Sequence, residues 1–191
     1  MNKLKTIQKR LKQFKNLSEE QKFKEFQFCL ITPQSNAQKC WEAIEEISRL
    51  KRLEHKKISE ILSKKTRFHN TKTKRIMESK KAWKEIKPLL KIKDSFALRN
   101  ILAKKVNGYG LKESSHFLRN IGLSNNRIAI LDRHILKNLH NLGLIPEAKI
   151  KSQKQYLEIE QIFLAHAERI QVKADELDLH WWSQENGKIF K

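Results

Sequence analysis

Residues that form turns are scarce in this chain, which has five glycines and three prolines among its 191 residues. A protein built from β-strands needs many tight turns, and those turns depend on glycine and proline. Hydrophobic residues make up 39% of the sequence, which is enough to bury a core and argues against intrinsic disorder. The sequence therefore predicts an all-α protein.

The chain is also strongly basic. It has 41 Lys and Arg residues against 21 Asp and Glu residues, for a formal net charge of +20. This surplus exceeds what solubility requires, and it indicates a polyanionic partner. Between Lys64 and Lys87, ten residues are basic and two are acidic. Such a run is usually only a solvated helix face, but the overall surplus favours contact with phosphate groups.

The composition also excludes several kinds of protein. The two cysteines, Cys29 and Cys40, are too few for an iron–sulfur cluster or a Cys-only zinc site, and they make no disulfide framework. The seven histidines lack ligand spacing, so we expect no catalytic metal. No apolar run is long enough to span a bilayer or to form a signal-peptide core. We expect a cytoplasmic, nucleoid-associated monomer that does not bind membranes.

Apolar residues recur at helical spacing along most of the chain. A first amphipathic helix is predicted from four such residues, Leu4, Ile7, Leu11 and Phe14. Ser18 and Gln21 have the spacing of a capping box at the start of a second helix. Thr32 is a suitable N-cap and Pro33 a suitable first helical residue, so a third helix is predicted to begin there.

A helix-hairpin-helix arrangement is predicted between residues 94 and 122. Asp94 can cap a helix that ends near Gly108, and a second helix begins around Lys112 and ends by Gly122. Glycines at 108 and 110 allow close approach of a ligand, and the start of the second helix offers unpaired N–H groups. The turn can therefore hold a nucleic-acid phosphate. Judged on the glycines alone, an ordinary helix–helix connection is an equally good interpretation.

Two charged residues favour the functional interpretation of the hairpin. Lys112 follows the turn directly, and Asp132 comes immediately after the apolar run Ile128–Leu131. Asp132 can be the N-cap of a helix that ends at Gly143. An N-cap carboxylate is stabilised as the anion, which is the form that supports a positive charge developing on a sugar. The capping and functional roles are therefore compatible.

Several segments, in chain order, resemble the helix-hairpin-helix DNA glycosylase superfamily, and within it the second-type 8-oxoguanine DNA glycosylase/AP lyases. The segments are ITPQSNA at 31–37, RFHNTK at 67–72, VNGYGLKESSHFLRN at 106–120, ILDRH at 130–134, and LDL at 177–179 with GK at 187–188. Each segment is weakly specific alone. Together they span nearly the whole chain.

The resemblance implies that Lys112 is the nucleophile and Asp132 the essential carboxylate. Lys112 would attack C1′ of a flipped nucleotide, expel the damaged base and form a Schiff base that permits β-elimination. The hairpin glycines, Gly108 and Gly110, would contact the DNA. We expect no cofactor, although the hairpin is a candidate site for a monovalent cation.

The resemblance assigns further residues to DNA contact. Gln34, with Asn36 nearby, matches the position that fills the gap left by a flipped base or contacts the opposite base. Ordinary helix-start chemistry explains both residues nearly as well. Trp181, Trp182 and the C-terminal Lys191 are candidates for the base pocket. An aromatic pair near a chain end more often packs in the core.

Residues and resemblance together predict a bifunctional base-excision repair enzyme. Its partner would be double-stranded DNA containing an oxidised base, from which it would excise 8-oxoguanine before cleaving the abasic site. The fold would be all-α, with two helical subdomains and a cleft between them that holds the active site. One subdomain would comprise residues 18–125 with the helix-hairpin-helix, and the other would comprise 1–17 with 126–191.

Other functions remain open at this stage. The loop 122–127 lacks the proline usual in related glycosylases, and the absence of cluster-binding cysteines disfavours the endonuclease III branch. One alternative is a glycosylase of the same superfamily with a different base preference. Another is a non-catalytic helix-hairpin-helix DNA-binding protein, and a third is a basic protein that associates with RNA.

Overall fold

The computed structural model describes residues 3–191, apart from the side chain of Asn186, and contains no β-strand within that range. Its ten α-helices are α1 Lys3–Lys15, α2 Glu19–Ile31, α3 Ala37–Ser48, α4 His55–Lys65, α5 His69–Ile86, α6 Ser95–Lys105, α7 Leu111–Asn120, α8 Arg133–Asn141, α9 Gln153–Arg169 and α10 Ala174–Asn186. A short 3-10 helix, Lys87–Lys91, follows α5. The prediction of an all-α protein is confirmed. Among these helices, none has both the length and the apolar character needed to cross a bilayer.

Local capping signals explain where several helices begin. The predicted capping box at α2 is present, because Ser18 Oγ accepts from the Gln21 backbone while Gln21 Oε1 accepts from the Ser18 backbone. Asp94 caps α6 as predicted, with its Oδ1 accepting from the Phe96 N–H at 2.9 Å.

The third helix begins later than predicted. Asn36 is the N-cap of α3, and its Oδ1 accepts from the Lys39 N–H at 3.0 Å. Thr32 is instead the C-cap of α2, and its N–H and its hydroxyl both donate to the Phe28 carbonyl. Gln34 has φ +56°, which interrupts any right-handed helix. The predicted N-cap at Thr32 and helix start at Pro33 are therefore wrong, and residues 32–36 form a loop.

The described chain forms two compact units. One contains residues 17–117, and the other contains residues 118–191 together with the N-terminal segment that ends at Asn16. The predicted domain ranges, 18–125 and 1–17 with 126–191, stay a prediction. Residues 1 and 2 of that second range lie outside the described part of the chain.

The unit 17–117 has an aromatic core. Ring centroids in this core lie 5.4–6.4 Å apart among Phe23, Phe26, Trp83, Tyr109 and Phe117. Tyr109 belongs to the hairpin between α6 and α7, and its hydroxyl donates to the Phe26 carbonyl at 2.9 Å. The aromatic core therefore anchors the hairpin to α2.

The unit formed by the two termini packs α1 against α10. Ile7 and Phe14 of α1 are buried against Leu179 of α10. Gly122, which follows α7, approaches the backbone of Lys15 so closely that a Cβ at this glycine would lie 2.8 Å from the Lys15 Cα. The N-terminal helix is therefore an integral part of this unit.

The two cysteines are buried in the unit 17–117 and form no disulfide bond. Cys40 Sγ lies 3.4 Å from the Ile31 carbonyl. Burial raises the pKa of the Cys40 thiol to about 11, although the charge of Lys72 opposes the shift. The thiol is therefore protonated at neutral pH.

Candidate functional site

The predicted helix-hairpin-helix is formed by α6, residues 106–110 and α7. Gly108 has φ +97°, and a Cβ at this position would lie 2.4–2.7 Å from the side chain of Arg75. The positive φ favours glycine at 108, whereas the contact with Arg75 involves only the flexible end of that side chain. Gly110 lies outside the left-handed region, and a Cβ there would be 3.3 Å from Glu113 Oε2.

Lys112 is the second residue of α7, and its side chain is 27% exposed. Its Nζ lies 3.0 Å from Glu113 Oε1. The other carboxylate oxygen of Glu113 accepts from the Gly110 N–H at 3.2 Å. This second contact is one half of a capping box at the start of α7. Glu113 thus holds the amine of Lys112 next to the hairpin.

Sequence reasoning missed Glu113, although its position three residues after Gly110 is a capping signal. The contact with Glu113 occupies a backbone group that was expected to be unpaired at the hairpin. The Gly110 N–H, one of the groups predicted to bind phosphate, donates to an internal carboxylate in this structure.

A cluster of cations surrounds Lys72 in the same unit as the hairpin. Lys72 is only 2% exposed. Burial lowers its pKa to about 8, the Cys40 thiol opposes that shift, and the charges of Arg75, Arg67 and Lys112 add to it. Such a concentration of positive charge beside a hairpin favours an anionic ligand. No sequence signal identifies Lys72 as buried, because lysine is rarely found in protein interiors.

The loop 32–36, which carries Gln34, is bonded to Lys72. Lys72 Nζ donates to the Pro33 carbonyl at 2.9 Å and to Ser35 Oγ at 2.7 Å. Gln34 is exposed, whereas Asn36 acts as a helix cap. The unit 17–117 contains five of the predicted site residues: Gln34, Asn36, Gly108, Gly110 and Lys112.

Phe68 is an exposed aromatic residue near this loop that sequence reasoning did not single out. It precedes α5 with φ +57°, and its side chain is 57% exposed. The guanidinium of Arg67 lies 5.5 Å from the ring centroid. An exposed aromatic ring beside cations suits contact with a nucleic-acid base.

Asp132 is the N-cap of α8, as predicted. Its Oδ1 accepts from the His134 N–H at 2.8 Å and from the Ile135 N–H at 2.9 Å. The preceding residues 128–131 are buried and lie outside any helix. Ala129 in this segment donates its N–H to Glu160 Oε1 at 2.8 Å, and its carbonyl accepts from the Tyr156 hydroxyl at 2.7 Å. Side chains of α9 thus supply hydrogen-bond partners to the buried backbone of the segment that ends at Asp132.

Further acidic groups lie in the same unit as Asp132. Asp178 is buried, and its Oδ2 lies 3.2 Å from the Arg119 guanidinium. Burial raises the pKa of Asp178 to about 7, with Arg119 opposing the shift and the charges of Asp132 and Asp175 adding to it. The pKa of Asp175 is also raised, chiefly by burial, although this carboxylate accepts a hydrogen bond from Ser124.

The C-terminal aromatic residues lie in two environments. Trp181 is buried, with its ring 5.7 Å from those of Phe163 and His166. Trp182 packs against Phe190 at 6.3 Å, and the buried Lys191 has its Nζ 5.8 Å from the Phe190 ring. Trp181 therefore contributes to the core. The assignment of Trp181, Trp182 and Lys191 to a base pocket stays a prediction.

Metal-ligating groups are dispersed. Within residues 3–191, no three or more His, Cys, Asp or Glu side chains lie where they could hold a metal ion together. The expected lack of a cofactor and the candidate cation at the hairpin both stay predictions.

Comparisons with known proteins match this chain to a single family. Residues 7–172 match the family described as 8-oxoguanine DNA glycosylase. An 8-oxoguanine DNA glycosylase/AP lyase of Fusobacterium nucleatum is 38% identical over 199 residues, which cover 97% of this chain and 91% of the relative.

Two solved structures are also similar over 98% of this chain. The 8-oxoguanine DNA glycosylase of Thermotoga maritima has a TM-score of 0.87 and 34% identity, with 92% of its chain covered. The 8-oxoguanine glycosylase/lyase of Methanocaldococcus jannaschii, solved in complex with a 15mer DNA containing 8-oxoguanine, has a TM-score of 0.85 and 33% identity, again with 92% covered.

Proposed function

This chain belongs to the 8-oxoguanine DNA glycosylase family, and on that premise we propose that it excises 8-oxoguanine from duplex DNA and cleaves the resulting abasic site. Its relatives are named as 8-oxoguanine DNA glycosylase/AP lyases, so it is a DNA glycosylase/AP lyase. The relatives are similar to it over nearly their whole length and share its fold. We expect it to act as a monomer on nucleoid DNA in the cytoplasm.

Lys112 is the proposed nucleophile. Its neutral amine attacks C1′ of the damaged nucleotide, so that an N–C1′ bond forms while the glycosidic bond breaks. The base leaves with the bonding electron pair and takes up a proton. Opening of the sugar then gives a Schiff base, loss of a C2′ proton breaks the C3′–O bond, and water releases the lysine. Glu113, 3.0 Å from Nζ in this structure, holds the amine at the hairpin before DNA binds.

Asp132 is the proposed electrostatic partner. An ionised carboxylate stabilises the positive charge that develops on the sugar as the base departs. Two helix N–H groups are bonded to its Oδ1, which fixes the orientation of the group. Gln34, exposed on its loop, is the proposed contact to the gap or to the base opposite the lesion.

One observation carries the proposal: a partly exposed lysine stands directly after a glycine hairpin in a chain that matches the glycosylase family from residue 7 to residue 172. Borohydride reduction tests it. We expect wild-type protein and 8-oxoguanine duplex to give a covalent adduct, and Lys112→Gln to lower both adduct formation and excision by roughly 10³-fold or more.

Lys105→Gln is the matched control, because this exposed lysine lies in the last turn of α6, before the hairpin. The control variant should keep wild-type trapping. If Lys112→Gln traps as well as wild type, Lys112 is not the nucleophile. If wild-type protein binds duplex DNA but gives neither adduct nor cleavage on 8-oxoguanine, uracil, thymine glycol or abasic substrates, the protein is a non-catalytic DNA-binding module.

A further inference from the structure

Helix α1 carries a row of exposed lysines. Six of its thirteen residues are basic and none is acidic. Lys5, Lys9 and Lys12 are separated by four and by three residues, so their side chains share one face of the helix. All three side chains are exposed. We call these three residues the α1 lysine stripe.

The α1 lysine stripe lies on the side of the helix that faces away from the core. Ile7 and Phe14 are buried, and each lies two positions from a lysine of the stripe, which corresponds to about 200° of rotation. Arg10 lies outside the stripe, and its Nε donates to the Phe190 carbonyl at 2.8 Å. Within residues 3–191, by contrast, no acidic side chain pairs with a lysine of the stripe. The stripe therefore makes no contribution to holding α1 in its unit.

The stripe is unfavourable for the helix that carries it. Like charges three or four residues apart repel each other and destabilise a helix. Lys5 also lies in the first turn of α1, where the helix dipole disfavours a positive charge. An external polyanion would relieve this repulsion, and the net charge of +20 favours such a partner. A bilayer suits the helix less well, because the apolar side of α1 is already buried against α10.

We propose that the α1 lysine stripe binds the phosphate backbone of duplex DNA, as a contact surface separate from the hairpin. This inference rests on the proposed function for the identity of the polyanion. The hairpin belongs to the unit 17–117, whereas α1 belongs to the unit that contains Asp132. The stripe spans seven residues, or about 10 Å of helix, and the phosphates of one DNA strand advance by about 3.4 Å each along the duplex axis. Its three ammonium groups therefore match about three successive phosphates.

The salt dependence of DNA binding tests the stripe. Binding is followed by the fluorescence anisotropy of an undamaged duplex, and each lysine–phosphate contact contributes about 0.9 to the slope of log K against log salt. The triple variant Lys5→Gln, Lys9→Gln, Lys12→Gln should therefore reduce the slope by about 2.7. Its affinity should fall by roughly 10²- to 10³-fold at about 0.1 M salt. A duplex containing 8-oxoguanine should lose the same factor, because phosphate contacts carry no information about the bases.

A matched control variant separates the position of the charges from their number. Lys57, Lys151 and Lys154 are exposed, and each pairs with a glutamate three or four residues away. Changing these three lysines to glutamine removes the same net charge, and the slope should stay near wild type. Arginine at the three stripe positions should also keep the wild-type slope, because a phosphate contact needs a positive charge at that place.

Stability shows whether the stripe has a structural role. The melting temperature of the triple glutamine variant should equal or exceed that of wild type, because repulsion along α1 is removed. If the triple variant does not fold, the single variant Lys9→Gln should lower the slope by about 0.9.

The proposal is overturned if folded stripe variants keep the wild-type slope, or if the control variant lowers the slope as much as the triple glutamine variant does. It is also overturned if the triple variant loses binding to phosphatidylserine vesicles while its DNA binding is unchanged, which would identify a membrane-binding surface. A failure of the proposed function would look different. Wild-type protein would then form no borohydride adduct with 8-oxoguanine duplex, whereas its binding to DNA would still depend on the stripe.

Discussion

The surroundings of Lys112 and those of Asp132 differ in how each charged group is held. The amine of Lys112 contacts the neighbouring Glu113, and this contact is local in sequence and partly exposed. Asp132 follows a buried segment whose backbone is bonded by Tyr156 and Glu160, residues far along the chain. The amine therefore keeps freedom to move, whereas the carboxylate is fixed by the core.

Each of the two regions brings charges of the same sign close together. Lys72 lies among other cations near Lys112, and the charge of Asp132 raises the pKa of the buried Asp178. Gathering like charges destabilises a folded protein unless an opposite charge arrives. A DNA phosphate would relieve the first region and a cationic sugar the second.

The largest expected effect tests whether the Asp132 region is catalytic. Asp132→Asn should lower excision by roughly 10³-fold, because the negative charge is lost. Asparagine caps helices as well as aspartate does, so the melting temperature should stay near wild type. Asp132→Ala should lose activity and about 1 kcal/mol of stability as well. Asp94→Asn, at the exposed cap of α6, is the control for activity. Near-wild-type excision by Asp132→Asn would remove the carboxylate from the reaction.

A second prediction concerns the buried ion pair behind Asp132. Arg119→Met should lower the free energy of unfolding by about 3 kcal/mol, because it leaves the Asp178 carboxyl buried without its cation. Lys137→Met, which removes an exposed ion pair to Glu185 in the same unit, should change stability by less than about 1 kcal/mol. Urea denaturation measures both. If the free energy of unfolding falls equally in the two variants, the buried pair of Arg119 and Asp178 is no more important for stability than an exposed ion pair.

A third prediction compares glycines in the two units. Gly108→Ala should lower the free energy of unfolding by about 2 kcal/mol, because L residues rarely adopt φ +97° and the end of the Arg75 side chain must also shift away from the added Cβ. Gly143→Ala should cost only about 1 kcal/mol, since that glycine has φ +68° but no atom within 4 Å of an added Cβ. Thermal denaturation separates the two values. Unchanged stability in Gly108→Ala would show that the hairpin does not need glycine at this positive φ.

The smallest expected effect is a pH dependence of opposite sign in the two regions. The pKa of Asp178 is raised to about 7 by burial, so the folded protein binds this proton more tightly than the unfolded chain. Its contribution to stability should therefore fall as pH rises from about 4 to about 7. The pKa of Lys72 is lowered to about 8 by burial, so folding releases its proton. Stability should therefore rise with pH between about 8 and 10.5.

Denaturation across pH checks these slopes against Asp178→Asn and Lys72→Met. Each variant should flatten the profile only in its own pH range. A Lys72→Met profile that parallels wild type above pH 8 would show that this lysine is hydrated.

Local signals predicted much of the fold. The capping box at Ser18, the hairpin after α6 and the N-cap role of Asp132 follow from contacts within three residues, and the structure has all three. The predicted start of α3 is wrong because Thr32 and Pro33 satisfy the same local rules, whereas the loop around Gln34 is bonded to Lys72 of another helix.

The rest of the candidate site depends on distant contacts. The burial of Lys72, the pairing of Arg119 with Asp178 and the bonds from α9 to residues 128–131 join positions that are many residues apart. No pattern of residue types along one helix encodes such pairs. Identification of Lys112 and Asp132 came from resemblance and from their positions at helix starts, and their catalytic roles stay predictions.

Burial of both cysteines has a consequence for a protein that would work on oxidised DNA. Peroxide reacts with the thiolate, and only where it can reach the sulfur. Cys29 and Cys40 are 1% and 0% exposed, and the raised pKa of Cys40 keeps that sulfur protonated. Neither side chain is open to the oxidants that create the lesion, so the protein should retain both thiols under conditions that damage guanine.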